Sequence, residues 1–221
     1  MTEELWEQVD AQLSSFLVAE DDGLQNALKT SAEAGLPPIQ VSPVQGKMLY
    51  LLCRCIRARR ILEIGTLGAY STIWLARALE PAGQLITLES EPLHAKIAQA
   101  NIRAAGLESL IDLRVGHALD TLPQLVSEKA GPFDFIFIDA DKVNTLSYFQ
   151  WSLKLSRPGT VIIVDNVVRK GAIADPGCED PGVRAMREFL SVLGAEPRVS
   201  ATALQMVGVK GYDGFAMALV L

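Results

Sequence analysis

The strongest constraint on the fold is a regular alternation of short apolar runs with helical segments. Five runs rich in aliphatic and aromatic residues begin about every 22–27 residues, which is the length of a strand followed by a helix. These runs are apolar on both faces, as is typical of strands that helices cover on both sides. The pattern predicts a doubly wound, mostly parallel α/β sheet. Its first five strands are expected at residues 60–64, 85–88, 111–115, 133–138 and 160–164.

The flanking segments extend this architecture. About 57 residues of helical pattern, broken at Gly35-Leu36-Pro37-Pro38, precede the first strand. They are continuous with the sheet, so we expect one domain over residues 1–221, with segment 1–57 packed on the core that contains the sheet. Two strand-like runs, 199–207 and 215–220, close the chain and predict a hairpin that adds an antiparallel strand at the edge. The expected sheet therefore has seven strands.

Composition narrows the class of protein. A chain of 221 residues with 49% hydrophobic and 21% charged residues is globular, and its net charge of −6 argues against a nucleic-acid coat or a membrane-surface protein. No apolar run approaches the roughly 18–20 residues that a membrane span needs. The acidic N-terminus lacks the pattern of a signal peptide. The three cysteines lack zinc spacing, and Cys53 and Cys55 are expected to be buried or half-buried thiols. These features predict a cytoplasmic protein.

The turn after the first strand indicates a cofactor. Ligands of open α/β sheets bind beyond the carboxyl ends of the strands, where this chain has Glu63-Ile64-Gly65-Thr66-Leu67-Gly68. Glu63 replaces the first glycine of a dinucleotide fingerprint, and its charge would repel a pyrophosphate. S-adenosylmethionine fits better because it carries a sulfonium and an amino group. Glu89 ends the second strand, where an acid can accept hydrogen bonds from a ribose. The alternative is a tight turn without a ligand.

A second polar group follows the fourth and fifth strands. Asp139-Ala140-Asp141-Lys142 and Asp165-Asn166 are expected on the same rim of the sheet. Asp165 and Asn166 can share a target only if the strand ends there, because successive strand residues point to opposite faces. Together with Asp139 they offer three oxygen ligands of the kind that magnesium prefers. Alternatively, these residues only cap a turn and a helix.

Lys142 adds a possible base to this group of oxygen ligands. A phenol has a pKa near 10 and is a poor nucleophile at neutral pH. A bound divalent cation lowers that pKa, and Lys142 beside Asp139 can accept the proton. The oxyanion is then ready to attack a sulfonium methyl held in line with it. The alternative for Lys142 is a solvated surface lysine.

These motifs resemble those of the cation-dependent, S-adenosylmethionine-using O-methyltransferases, the catechol and caffeoyl-coenzyme A O-methyltransferase-like family. The similarity runs from about Val41 to the C-terminus. It implies a class I methyltransferase (Rossmann-like) fold, a divalent cation such as Mg²⁺, a hydroxylated aromatic small molecule as substrate, and a homodimer. The motifs are Val41-Ser42-Pro43-x-Gln45-Gly46, Ile61-Leu62-Glu63-Ile64-Gly65-Thr66, Tyr70-Ser71, the segment 133–142 and Asp165-Asn166-Val167.

The resemblance also implies roles for individual residues. Lys142 would be the base, beside Asp139. His117 is expected to contribute a backbone amide near the adenine rather than to act as a base. Two positions depart from the family pattern: Ala69 stands where many relatives have glycine, although Gly68 can compensate, and Thr145 stands where many have tyrosine. The cofactor site would be lined by Val41, Glu63, Gly65, Ser71, Glu89 and Ala118, with Asp141 beside it. The metal would be held by Asp139, Asp165 and Asn166.

Three other functions remain open at this point. A tRNA hydroxyuridine O-methyltransferase of the same family would need a basic approach surface, and the only candidate lies at the amino end of the sheet. That candidate is the set Arg54, Arg57, Arg59 and Arg60. A nicotinamide-dependent oxidoreductase is disfavoured by Glu63. A binding module without activity is disfavoured because metal ligands and base are all present.

Overall fold

The computed structural model describes residues 2–221. The strands are β1 (Arg60–Ile64), β2 (Gln84–Glu89), β3 (Ile111–Val115), β4 (Phe135–Ile138), β5 (Val161–Asp165), β6 (Val199–Gly208) and β7 (Gly211–Val220). They form a seven-stranded sheet in the order β3-β2-β1-β4-β5-β7-β6. The first five strands are parallel to one another, whereas β7 pairs antiparallel with both β5 and β6. The predicted seven-stranded α/β sheet with antiparallel pairing at one edge is confirmed.

Eight α-helices flank the sheet of the described chain. Several begin at polar or proline residues suited to that position: the Ser42 hydroxyl accepts from the Gln45 amide, and the Asp180 carboxylate accepts from the Val183 amide. The helices are α1 (Glu3–Leu17), α2 (Asp22–Glu33), α3 (Pro43–Cys55), α4 (Tyr70–Arg77), α5 (Pro92–Ala104), α6 (Ala118–Ser127), α7 (Thr145–Lys154) and α8 (Pro181–Ala195). A short 3₁₀ helix spans Lys142–Asn144, and the segment Arg169–Ala174 forms 3₁₀-type turns interrupted by left-handed residues at Lys170 and Gly171. No helix within residues 2–221 has both the length and the apolar character needed to cross a lipid bilayer.

The central strands bury side chains on both faces. Ile136 and Ile138 face one apolar cluster, whereas Phe135 and Phe137 face the other. Each of these four side chains is almost completely buried, and burial of one such side chain stabilises a fold by about 1.5–3 kcal/mol. Helices α2 and α3 belong to the second cluster through Leu24, Ala27, Leu49 and Cys53.

Some sequence expectations need correction. β3 has no fully buried residue, because it forms the edge of the sheet and one side has no neighbouring strand. β4 begins at Phe135, two residues later than expected, although the Asp134 backbone already donates to the Arg60 carbonyl and accepts from the Val161 amide. β7 already begins at Gly211, so the hairpin turn is short. Cys55 is exposed rather than buried or half-buried.

Candidate active site

A cavity of about 520 Å³ opens at the carboxyl ends of β1, β2 and β4. Its other walls come from residues 36–41, which lead into α3, and from the turn after β5. The cavity therefore contains residues from two separate predictions. One set was predicted to bind a cofactor, and the other was predicted to hold a metal and supply a base. Of the predicted site residues, those that line it are Val41, Gly65, Ser71, Glu89, Ala118, Asp139, Asp141, Lys142 and Asn166.

Gly65 brings the ends of β1 and β4 together. Its φ of +98° lies in the region that favours glycine, and a Cβ atom there would overlap the carbonyl oxygen of Asp139. The Asp139 amide in turn donates to the carbonyl of Ile64 at 2.9 Å. The glycine turn and the catalytic candidate Asp139 are consequently in direct backbone contact.

Glu89 holds the turn after β1 in place. Its carboxylate accepts from the backbone amides of Thr66 at 3.2 Å, Leu67 at 2.7 Å and Glu91 at 2.9 Å. The side chain is nearly buried, and His94 Nδ1 lies 3.6 Å from one of its oxygens. Glu89 therefore shapes the cavity floor as well as contributing negative charge to it.

Glu63 lies behind the cavity wall rather than on it. Its side chain is completely buried and accepts hydroxyl hydrogen bonds from Ser71 at 2.6 Å, Thr72 at 2.5 Å and Thr87 at 2.7 Å. Burial raises the pKa of Glu63 to about 7, and Asp139 adds to this rise, while the three hydroxyl groups oppose it. This corrects the expectation that Glu63 lines the cofactor site. Strand alternation turns its side chain towards the first turn of α4, and only Ser71 connects it to the cavity.

Lys142 and Asp139 form an ion pair on the cavity wall. Lys142 begins a 3₁₀ helix directly after the rim, and its Nζ lies 2.9 Å from Asp139 Oδ1. Both side chains are largely buried, so the pair is less screened than a surface ion pair. Asp141 caps the same 3₁₀ helix through the Asn144 amide and accepts a hydrogen bond from the hydroxyl of Tyr148.

Asp165 and Asn166 lie where the chain leaves β5. Asn166 has a left-handed φ of +58°, so the strand ends at Asp165 and the two side chains are not held on opposite faces. Asn166 lines both the large cavity and a neighbouring cavity of about 290 Å³, whose wall includes Asp165 and Gln45. The side-chain amide of Gln45 donates to Asp165 Oδ2 at 2.8 Å through Nε2. Burial, and then the charge of Asp139, raise the pKa of Asp165 above its usual range.

These donors fit a hard divalent cation. Asp139 directly follows β4 and Asp165 ends the paired strand β5, and their mutual repulsion is one cause of the raised pKa of Asp165. A cation between them would remove that repulsion, and the Asn166 amide adds a third oxygen. Within residues 2–221 no cluster of three or more His, Cys, Asp and Glu side chains is arranged to hold a metal. Any site here thus consists of two carboxylates and an amide, a donor set that favours magnesium over zinc.

The two departures from the family pattern have different consequences. Ala69 adopts a left-handed φ of +68° at the start of α4, so the strain falls on Ala69 itself and Gly68 does not relieve it. Thr145 is buried and lines neither cavity. The aromatic side chain of Tyr148, one turn later, lines the cavity in that region.

Sequence reasoning also missed several residues that line this site. Gln45 was part of a recognised motif but had no assigned role. His94, Tyr148 and Arg169 had no signal, since each lies on an ordinary helical stretch or in a turn. His117 and Ala118, at the start of α6, line the cavity beside Gly116.

The fold and this rim together define a class I methyltransferase. The chain belongs to the O-methyltransferase family, whose family model matches residues 14–219. A catechol O-methyltransferase of Niastella koreensis is 56% identical over 220 residues, covering 100% of both chains. The recognised family resemblance is thereby confirmed.

Solved structures agree with this assignment. The O-methyltransferase from Bacillus cereus, solved in complex with S-adenosylhomocysteine, has a TM-score of 0.98 and 55% identity, with full coverage of both chains. The O-methyltransferase TomG of Streptomyces achromogenes, involved in tomaymycin synthesis and solved with S-adenosylmethionine, has a TM-score of 0.96 and 50% identity. That match covers 100% of this chain and 99% of TomG.

Proposed function

We propose that the protein transfers a methyl group from S-adenosylmethionine to one hydroxyl of a catechol-like small molecule and uses a divalent cation. The observation that carries the proposal is the shared cavity, in which the glycine turn held by Glu89 meets the Asp139–Lys142 pair. The name of the Niastella koreensis relative supports a catechol substrate, and the ligands of the two solved neighbours support the cofactor.

The cofactor would occupy the part of the cavity next to β1, β2 and α6. Glu89 ends β2, where its carboxylate can accept from ribose hydroxyls, and the amides around Ala118 lie at the start of α6. Gly65 lets the methionine portion approach the backbone closely. The remaining contacts are proposed to come from Val41, Ser71 and Asp141, with Glu63 acting through the hydroxyl of Ser71.

Asp139, Asp165 and Asn166 would hold the cation, which is proposed to be Mg²⁺. When bound, it makes a neighbouring aromatic hydroxyl more acidic and so a better nucleophile at neutral pH. Gln45 donates to one carboxylate oxygen of Asp165 and thereby orients that side chain.

Lys142 is proposed to act as the base. In its uncharged form, its amine accepts the hydroxyl proton and becomes an ammonium, which the Asp139 carboxylate 2.9 Å away stabilises. The freed oxygen lone pair forms the new oxygen–carbon bond while the sulfur–carbon bond breaks. The bonding electrons stay on sulfur, so S-adenosylhomocysteine is the second product.

A tRNA substrate is not favoured. Arg54, which would belong to a basic approach surface, is paired with Glu80 at 3.1 Å. Arg59 and Arg60 lie at the amino end of β1, on the side of the sheet opposite the cavity mouth. A nucleic acid bound there would have no access to the Asp139–Lys142 pair.

We further propose that the chain works as one domain and as a homodimer in the cytoplasm. The shared apolar cluster of the N-terminal helices and the sheet supports the single domain. A homodimer is supported by α1, which has no buried residue yet exposes Val9, Leu13, Phe16 and Leu17. The cysteines of the described chain are free thiols, which a reducing compartment maintains. Light scattering after size-exclusion chromatography should give twice the chain mass.

A radiolabelled methyl-transfer screen tests the function directly. Catechol, a caffeoyl ester and bulk tRNA are each incubated with the protein, magnesium and labelled S-adenosylmethionine. We expect label in the catechol-type compounds and none in tRNA. Labelled tRNA with unlabelled catechols would replace the proposed substrate class by the alternative one.

A further inference from the structure

Arg169 is a cation in the cavity without an acidic partner. It follows β5 three residues after Asn166, and it lines the same cavity as Lys142 and Asn166. Its Nε atom is buried and has no hydrogen-bond partner. None of the ion pairs found across residues 2–221 includes its guanidinium group. A buried donor without a partner costs stability, so its retention at a cavity wall points to a ligand.

The backbone holds Arg169 in this position at a further cost. Its φ of +55° is left-handed, which is unfavourable for a residue with a side chain. Asp213 Oδ1 fixes this conformation by accepting from the amides of Val168 and Arg169, both at 3.0 Å, and of Gly214 at 2.9 Å. Strained residues that the surrounding structure fixes in this way are concentrated at ligand sites.

Arg169 lies in the turn beyond β5, two strands away from the turn where the cofactor is proposed to bind. Gly65, where the methionine portion of the cofactor is proposed to bind, follows β1, whereas Arg169 follows β5. β4 lies between these strands, so their ends are about 10 Å apart. Asp213 Oδ1 accepts from backbone amides, including that of Arg169. Asp139 is already paired with Lys142, and Asp165 is proposed as a cation ligand.

We propose that Arg169 binds an anionic substituent of the methyl acceptor, so that the preferred substrates are catechols bearing a carboxylate. The planar guanidinium group matches the two oxygens of a carboxylate and would satisfy the free Nε. This inference rests on the proposed function, because it assumes that a catechol occupies the cavity beside the Asp139–Lys142 pair.

A matched pair of acceptors tests the inference. The protein is assayed with S-adenosylmethionine and magnesium on 3,4-dihydroxybenzoate and on 3,4-dihydroxybenzamide, which have the same shape and differ in charge. We expect kcat/KM to be about tenfold or more higher for the benzoate, and we expect Arg169→Gln to bring this ratio close to one. Lys170→Gln is the control, because it removes the adjacent positive charge from an exposed side chain that lines neither cavity. It should leave the ratio unchanged.

The outcomes separate this inference from the proposed function. Equal kcat/KM values for both acceptors, or the same ratio in Arg169→Gln, would overturn the inference while leaving catechol methylation intact. If neither compound is methylated, the proposed function fails, and calorimetric titration of both compounds onto the protein with magnesium and S-adenosylhomocysteine still tests the binding preference. If Arg169→Gln weakens S-adenosylmethionine binding as much as it weakens benzoate binding, the residue belongs to the cofactor site and the inference is overturned. Thermal melting of each variant checks that it is folded.

Discussion

The buried carboxyl group of Glu63 should make the stability of the protein depend on pH in an unusual direction. The substitution that isolates it is Glu63→Gln, which keeps the shape of the side chain and cannot ionise. Because the folded protein raises the pKa of Glu63 from 4.5 to about 7, the folded state binds this proton more tightly than the unfolded state does. The free energy of unfolding should therefore fall as the pH rises from about 4.5 to 7, and the loss should be complete at pH 8.

The size of the effect follows from the same two values. Each tenfold difference in proton affinity corresponds to about 1.4 kcal/mol. The stability linked to this proton should thus fall by about 2.5 kcal/mol between pH 5 and pH 8, because the unfolded state gives up the proton at a lower pH than the folded state does. The three hydroxyl donors from Ser71, Thr72 and Thr87 are already included in this figure, since they oppose the larger effect of burial.

Urea denaturation followed by circular dichroism, without cofactor, measures this difference. The quantity of interest is the free energy of unfolding of Glu63→Gln minus that of the unmodified protein, because most other titrating groups cancel in it. This difference should increase by about 2.5 kcal/mol from pH 5 to pH 8. Glu33→Gln, which alters an exposed carboxyl on α2, should show no such increase. Parallel curves for Glu63→Gln and the unmodified protein would refute the reasoning, because the carboxyl would then not titrate in this range.

Three further substitutions test local features of the site. Gly65→Ala should lower the free energy of unfolding by about 3 kcal/mol or more, because its Cβ would overlap the Asp139 carbonyl at a positive φ; an unchanged melting temperature would contradict this. Ala69→Gly should raise that free energy by about 0.5–1 kcal/mol by relieving a left-handed alanine, and urea denaturation would show no gain if the turn were unstrained. Gln45→Leu should lower it by about 1–3 kcal/mol at pH 7, because buried Asp165 loses a hydrogen-bond donor; the same denaturation curve as the unmodified protein would exclude that contact.

Much of the fold was predictable because the sequence repeats one physical pattern. Runs apolar on both faces, each followed by a helix, leave few arrangements other than a covered parallel sheet. The same rule brought Gly65 and Asp139 to one rim, since the carboxyl ends of parallel strands meet there. β3 departed from the pattern because the order of strands, and hence which one lies at the edge, is not encoded in any single run.

The contacts within the site were less predictable. The bond between Gln45 and Asp165 joins residues 120 positions apart and depends on how α3 packs beside β5. Glu63 was assigned to the cavity because its place in the motif is visible in sequence, whereas the direction of its side chain depends on where the strand ends. Arg169 had no signal in its neighbours, because its exposure to the cavity comes from a left-handed turn that Asp213 stabilises from a distant strand.

The need for a cation in methyl transfer to catechol is the most direct test of the account. The rate is measured in EDTA, after magnesium is added back, and with Lys142→Ala in the presence of magnesium. We expect no transfer in EDTA, full recovery with magnesium, and a rate about 10²–10⁴-fold lower for Lys142→Ala with S-adenosylmethionine still bound. Full activity in EDTA would contradict the central claim, because Asp165 and Asn166 would then only form a turn. Activity of Lys142→Ala within a few-fold of the unmodified protein would contradict the assignment of the base.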